Sequence, residues 1–225
     1  MEQQAIAENS VKSDKVIILS VKRGTFRSDD PEKEHNDKEF KLARVPVLED
    51  SEYTCHYCGI KSQKYQEVHH VNDDHSCNEK SNLRTVCCLC HAPFHIGHSG
   101  LKKRGSIIFL AGVSQVNLNI IVRTCWIAQD GANEELNAKA NKILEYLKQQ
   151  EKVADQYLTS NAATLSIHLL NMTDEQYQQR GERLEGYLFL PNKSAFTAQL
   201  EYWKENLYNK IPTTTWDAIV SSVDF

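Results

Sequence analysis

Four cysteines in two Cys-x-x-Cys hooks constrain this chain more than any other feature. The hooks are Cys55-His-Tyr-Cys58 and Cys87-Cys-Leu-Cys90, with 28 residues between Cys58 and Cys87. A single tight turn lets both thiolates of a hook reach one ion, and two such hooks make the closed tetrahedral pattern of a structural zinc site. Gly59 follows Cys58 directly and suits such a turn. Cys55, Cys58, Cys87 and Cys90 are therefore the expected ligands of a structural Zn2+. Cys88 stands inside the second hook but out of phase, so it is expected to be a packed thiol, and Cys77 and Cys125 are read as structural too. Seven cysteines, an odd number crowded mainly into one window, point to metal ligation in a reducing compartment rather than a disulfide framework.

The chain is 225 residues long, enough for one ordinary domain or two small ones, and its 40% hydrophobic and 25% charged residues are those of a globular protein with a real core. The longest apolar run, Ile107 to Val113, is far short of the ~18 residues a membrane helix needs. The first residues carry no basic stretch leading into an apolar one, so no secretory signal is expected. Net charge is -4. Between residues 51 and 100, Lys61, Lys64, Lys80 and Arg84 face Glu52, Glu67, Asp73, Asp74 and Glu79. Phosphate neutralisation by Lys and Arg supplies most non-specific nucleic-acid affinity, and this segment is poorly provided with it. A zinc-ribbon nucleic-acid binder is thereby disfavoured.

Residues 1–14 are polar and expected to be flexible. Val16 to Val21 reads as a buried strand, Ser28 to Lys38 as a charged loop, and Leu42 to Leu48 as a short strand that Pro46 would confine to an edge. The metal module runs from about Tyr53 to His98. Lys102 to Gly105 is a basic turn, and Ser106 to Leu110 another strand. The remainder reads as helical. Ser114 caps a helix with Leu118, Ile121, Val122, Cys125 and Trp126 on its apolar side. Asn133 to about Leu158 is one long or broken helix, and Thr164 to Leu170 continues the apolar signal. Thr173-Asp-Glu-Gln176 opens a short helix through a capping box and Gly186 ends it. Leu188 to Pro191 is read as an extended connector. Ser194 is read as the cap of a last amphipathic helix carrying Phe196, Leu200, Trp203 and Leu207. Pro212 stops it, and a tail follows with Trp216, Ile219 and Val220. The expected class is α+β: a flexible 1–14, a zinc-anchored module with N-terminal strands over 15–110, and a helical C-terminal region over 111–225.

A second set lies in and after the hooks: His69-His70, Asn82, His91 and His95. It resembles the HNH, or ββα-metal, nuclease family. That resemblance implies an HNH-like fold, His70 as general base, Asn82 as the residue orienting it, and His69, His91 and His95 as ligands of a second divalent ion such as Mg2+ or Mn2+. The types suit the chemistry. A neutral imidazole takes a proton from water near neutral pH, and a metal neutralises charge developing on a phosphodiester. Pro93 between His91 and His95, with Gly97 and Gly100 close behind, departs from the pattern and implies a very short helix. Asp74, His75 and His98 offer alternative ligands.

A wider likeness extends over about residues 16 to 210. Tyr53-Thr-Cys-His-Tyr-Cys-Gly59, Tyr65-Gln, Ser81 to Cys90, Gly105 to Leu110, Ser114 to Leu118, and Leu188 to Pro191 leading into Phe196, Gln199, Glu201 and Trp203 carry it. On these residues the chain resembles the IcmJ/DotN family of type IVB (Dot/Icm) secretion systems. The resemblance implies a non-catalytic zinc protein, cytoplasmic and peripheral to the inner membrane through its partners, without insertion of its own. It would bind the tail of a DotL-type coupling ATPase beside DotM and the IcmS–IcmW adaptors, in a coupling complex that recruits proteins for export. The retained histidines depart from that family's pattern. They leave a metal-dependent HNH endonuclease as the alternative.

Overall fold

The computed structural model describes residues 15–23, 31–74 and 76–221. The expectations for residues 1–14, for the loop between Ser28 and Asp30, for His75 as a ligand and for the last four residues lie outside them.

The first helix, α1 (Lys33–Asp50), replaces two expectations. Its opening turns occupy the stretch read as a charged loop, and its second half occupies the Leu42–Leu48 stretch read as an edge strand. Phe40, Ala43 and Val47 recur at helical spacing, and all three pack with Leu48 against Val68 and Leu83. Pro46 lies inside the helix and drops the hydrogen bond to the Leu42 carbonyl, at a residue exposed to solvent. Beyond a turn with Glu52 and Tyr53 in the left-handed region, β1 (Gln66–His70) pairs antiparallel with β2 (Leu83–Cys87), Val68 opposite Thr85.

The chain then turns through α2 (Cys88–His91), a 3-10 turn (Ala92–His95) and α3 (Ile96–Leu101). Pro93 falls in the 3-10 turn, and the helical pieces are as short as the prolines and glycines there imply. Val16 to Val21 is extended but joins no sheet among the described residues. Ser20 instead exchanges backbone hydrogen bonds with the turn, donating to the Pro93 carbonyl at 2.9 Å and accepting from Ile96 N–H at 3.1 Å. Ile17, Leu19 and Val21 are buried, which is why the segment reads as a strand.

Next comes β3 (Gly105–Phe109), followed by α4 (Gln115–Gln129), α5 (Glu134–Tyr157) and α6 (Ala162–Leu170). The three helices are capped by the side chains of Ser114, Asn133 and Asn161, each accepting from a backbone N–H three residues on. The capping box at Thr173 opens α7 (Asp174–Gln178), and α8 (Arg180–Arg183) follows before the left-handed Gly186. Leu188 to Pro191 is no connector: it lies in β4 (Tyr187–Pro191), antiparallel to β3 with Ile107 opposite Phe189. Ser194 does not cap the next helix. It sits in a 3-10 turn (Lys193–Ala195) capped by Asn192, and α9 (Thr197–Asn206) starts after Phe196. A further helix, α10 (Thr213–Ser221), forms where the sequence suggests only a tail.

The main core joins the hook cysteines to the apolar face of α4, the stripe Leu136, Ala140 and Leu147 of α5, and Phe196, Trp203 and Trp216 from the C-terminal elements. A second cluster holds Leu19, Val21, Ile96, Ile107, Leu165, Leu169 and Phe189 between α3, α6 and the β3–β4 pair. No helix among the described residues is long and apolar enough to cross a membrane.

Candidate metal centre

The turn before β1 and the end of β2 bring the hooks together. Cys55 N–H donates to the Ile60 carbonyl at 2.9 Å, and Gly59 N–H to the Cys55 carbonyl at 3.0 Å. Gly59 has φ of +70°, which a side chain would strain, so the turn that aims Cys55 and Cys58 inward depends on glycine. Cys87 is the last residue of β2 and Cys90 lies in α2, so the strand-to-helix junction presents the second hook.

One sulfur from each of the four lies within 4.8 Å of all the others. The Cys58 and Cys87 sulfurs are 3.7 Å apart. A disulfide would need about 2.0 Å. Tetrahedral Zn–S bonds of about 2.3 Å put neighbouring sulfurs about 3.8 Å apart. The four cysteines therefore fit a metal ion in donor type, number and spacing, and such an ion would act as a cross-link of this module. Cys55, Cys87 and Cys90 are buried and Cys58 half-buried. Contacts with Cys55, Cys87 and Cys90, helped by the Arg123 guanidinium, hold the Cys58 thiol well below its ordinary range, while contacts with the other cysteines and burial push those of Cys87 and Cys90 well up, so the charge of the set is drawn towards the Arg123 side. Cys88 and Cys125 stay outside the cluster. Burial pushes the Cys88 thiol well up and that of Cys125 up to about 12, so both are inert packed thiols.

Two side chains from α4 reach the sulfurs. Asn119 donates to the Leu89 carbonyl at 3.2 Å and to Cys90 Sγ at 3.5 Å. Arg123 donates to Cys58 Sγ at 3.5 Å and through Nε to the Tyr208 hydroxyl at 2.9 Å. Sequence reasoning passed over both. The available signal was a lone Arg among apolar residues on the buried face of a helix, since a buried guanidinium must have a partner.

A second convergence forms on the neighbouring face of the hairpin. His69, His91 and His95 each offer a ring nitrogen within 4.8 Å of the others. His91 Nε2 and His95 Nε2 are 3.1 Å apart, close to the about 3.3 Å between two imidazoles on one tetrahedral ion. His69 stacks on Phe94, with ring centroids 4.3 Å apart. His91 Nδ1 donates to the Glu67 carboxylate, which leaves Nε2 facing the other histidines. Burial penalises that carboxylate, but the hydrogen bond and charge of His91, with the charge of Arg104, outweigh it and hold its pKa below the ordinary range, so the carboxylate form is favoured. A carboxylate on the far nitrogen of a ligating histidine is a common device for fixing tautomer and ring orientation. Glu67 was legible only as a charge in the sequence; its position two residues before His69, on the same strand face, was the missed signal. A cavity of about 710 Å³ opens beside this set, lined by Lys22, Glu67, His91, His95, His98, Leu101 and Arg104 among others.

His70 goes the other way. Successive strand residues face opposite sides of a sheet, and His70 lies against Phe40 of α1, with ring centroids 5.1 Å apart. The asparagine on its ring is Asn78, with Nε2 and Oδ1 3.0 Å apart. Asn82 ties the loop instead: its Oδ1 accepts from Asn72 N–H at 3.0 Å, and its amide donates to Asn72 Oδ1 and the Cys77 carbonyl, both at 2.8 Å. Burial lowers the basicity of His70, so its neutral form is favoured. Asp74 caps Ser76 locally. The structure thus unites the four cysteines and, separately, three of the histidines, with His70 on the α1 side of the hairpin and Asn82 in the loop between the strands.

No family model matches the chain. Among curated proteins it is similar to the type 4 apparatus protein DotN of Legionella pneumophila subsp. pneumophila strain Philadelphia 1. The two are 25% identical over 215 residues, which span 92% of this chain and 97% of the relative.

Proposed function

We propose that this chain is a structural subunit of a Dot/Icm-type IV secretion apparatus, folded around a four-cysteine zinc site. It acts by binding other proteins, not by chemistry on a substrate. The observation that carries this reading is the end-to-end character of the similarity to DotN, which covers 92% of the chain and therefore includes the helical half as well as the hooks. The geometry agrees with it. The cysteine site is closed by buried protein on all sides but that of Cys58, as a structural metal site is.

The partner in this reading is the C-terminal tail of a DotL-type coupling ATPase, with other coupling-complex subunits and exported proteins reached through it. The chain would be cytoplasmic and held at the inner membrane by that tail. Mixing purified full-length protein with the tail of the ATPase from the same organism should give a stoichiometric complex on size exclusion. Zinc-loaded, folded protein that binds no such tail would remove the reading.

A second reading is a metal-dependent HNH endonuclease. The convergence of His69, His91 and His95 with Glu67 behind His91 favours a divalent ion there. The placement of His70 and Asn82 weighs against a base poised for water activation. Plasmid nicking with added Mg2+, Mn2+ or Ni2+, run beside His70→Ala, separates the two. The scaffold reading expects no nicking; nicking that the variant abolishes reverses the order.

A further inference from the structure

We propose that Arg123 belongs to the metal centre as the counter-charge of the four thiolates, and that through it the ion holds the C-terminal helices in place. This rests on the four-cysteine site being loaded with a divalent ion.

A divalent ion with four thiolates leaves a net charge of about −2. Here that charge sits in the main core, with Cys87 and Cys90 at 0% exposure. Burying it without a cation nearby is costly. Arg123 is itself buried, in the middle of α4, flanked by Val122, Thr124 and Cys125. Among the described residues no carboxylate pairs with its guanidinium. Its polar contacts are Cys58 Sγ at 3.5 Å and the Tyr208 hydroxyl at 2.9 Å, and its guanidinium carbon lies 5.8 Å from the centroid of the Trp203 ring. The anionic partner of this buried cation is therefore the thiolate site, and the need is mutual.

The other contacts of Arg123 come from the far end of the chain. Trp203 belongs to α9. Tyr208 follows α9 and meets the ring of Trp216 on α10 at 5.6 Å. Trp203 also donates from its indole to Ser62 Oγ at 3.3 Å, beside the first hook. With the ion present, Arg123 bridges the sulfurs to the Tyr208 hydroxyl and these rings. With the ion removed, it is a buried cation without a buried anion, and the layer it joins loses its anchor.

The test uses the full-length protein, Arg123→Met and Arg123→Lys. Zinc content is measured first, then the rate of zinc transfer to excess chromogenic chelator, then backbone hydrogen exchange. Arg123→Met is expected to release zinc about 10- to 100-fold faster than wild type, the usual effect of losing an outer-sphere partner, with Arg123→Lys in between. Exchange over residues 197–219 should rise in Arg123→Met, and in wild type stripped of zinc, while α6 stays protected. Zinc release at the wild-type rate with unchanged protection of 197–219 overturns the proposal. If Arg123→Met does not fold, stripped wild type decides: protection of 197–219 lost ahead of α6 supports the coupling, and protection retained overturns it. Wild-type protein that holds no metal overturns the structural-zinc reading itself, and this proposal with it.

Discussion

At the scale of single residues, charge placement makes two checks available. Glu67 fixes the ring of His91, so Glu67→Gln should weaken divalent binding at His69, His91 and His95 by about 10- to 100-fold. Cobalt absorption during titration of zinc-loaded protein reads this directly, and equal affinity in the variant would show that Glu67 does not serve that site. Asp73 is held in the left-handed region at φ 61°, and burial pushes its carboxyl up to about 6 from 3.8. The folded state therefore holds the proton more tightly than the unfolded one, and ionising it costs stability as pH rises through about 6. Asparagine tolerates that backbone, so Asp73→Asn should stabilise the protein above pH 6. The gain should be about 1 kcal/mol, since water screens the partly exposed carboxylate, and should shrink as pH falls towards 4. Urea midpoints measured across that range decide the matter; a gain independent of pH would mean that the carboxyl is not the cause.

At the scale of elements, closeness of approach is the sensitive quantity. A Cβ on Gly100 would stand 2.4 Å from the backbone nitrogen of Ala163, so α3 and α6 pack through that glycine. Gly100→Ala should cost about 1–3 kcal/mol by forcing the pair apart, visible as a lower melting temperature; an unchanged melt would mean the helices separate freely. Elements whose signals are local were legible in the sequence. The hooks, the cap at Ser114 and the box at Thr173 depend on residues within a few positions of one another. The missed elements depend on distant partners. A helix over Leu42 to Leu48 is recognisable only once Phe40 and Val47 have Val68 and Leu83 to pack on, since a short apolar window around Pro46 suits a strand equally. Leu188 to Pro191 reads as a connector because its pairing partner lies on the other side of five intervening helices. For the site, donor types were legible and orientation was not. His69 and His70 are equivalent as letters, and only the pleat sends one to the histidine cluster and the other to α1.

At the scale of the whole molecule, the hook cysteines, α4 and the C-terminal aromatic rings share one core, so the metal site, α4 and the C-terminal helices should lose their packing together. Cys55→Ser with Cys58→Ser should leave the protein without zinc and lower its stability by several kcal/mol, as expected where metal binding is folding free energy. Zinc analysis beside a thermal melt tests this, and a stable, metal-free variant would sink the structural role. The β3–β4 pair carries a different consequence, one of timing. Gln115 locks β4 from the side, accepting from Phe189 N–H at 2.7 Å and donating to its carbonyl at 2.8 Å, so β3 and the start of α4 wait together for a strand made much later. On a ribosome, Ile107 and Ile108 would leave the exit tunnel well before Phe189 and Leu188 exist to cover them. A nascent chain halted before Tyr187 should thus present an open, apolar strand edge, the kind of surface that holding chaperones recognise.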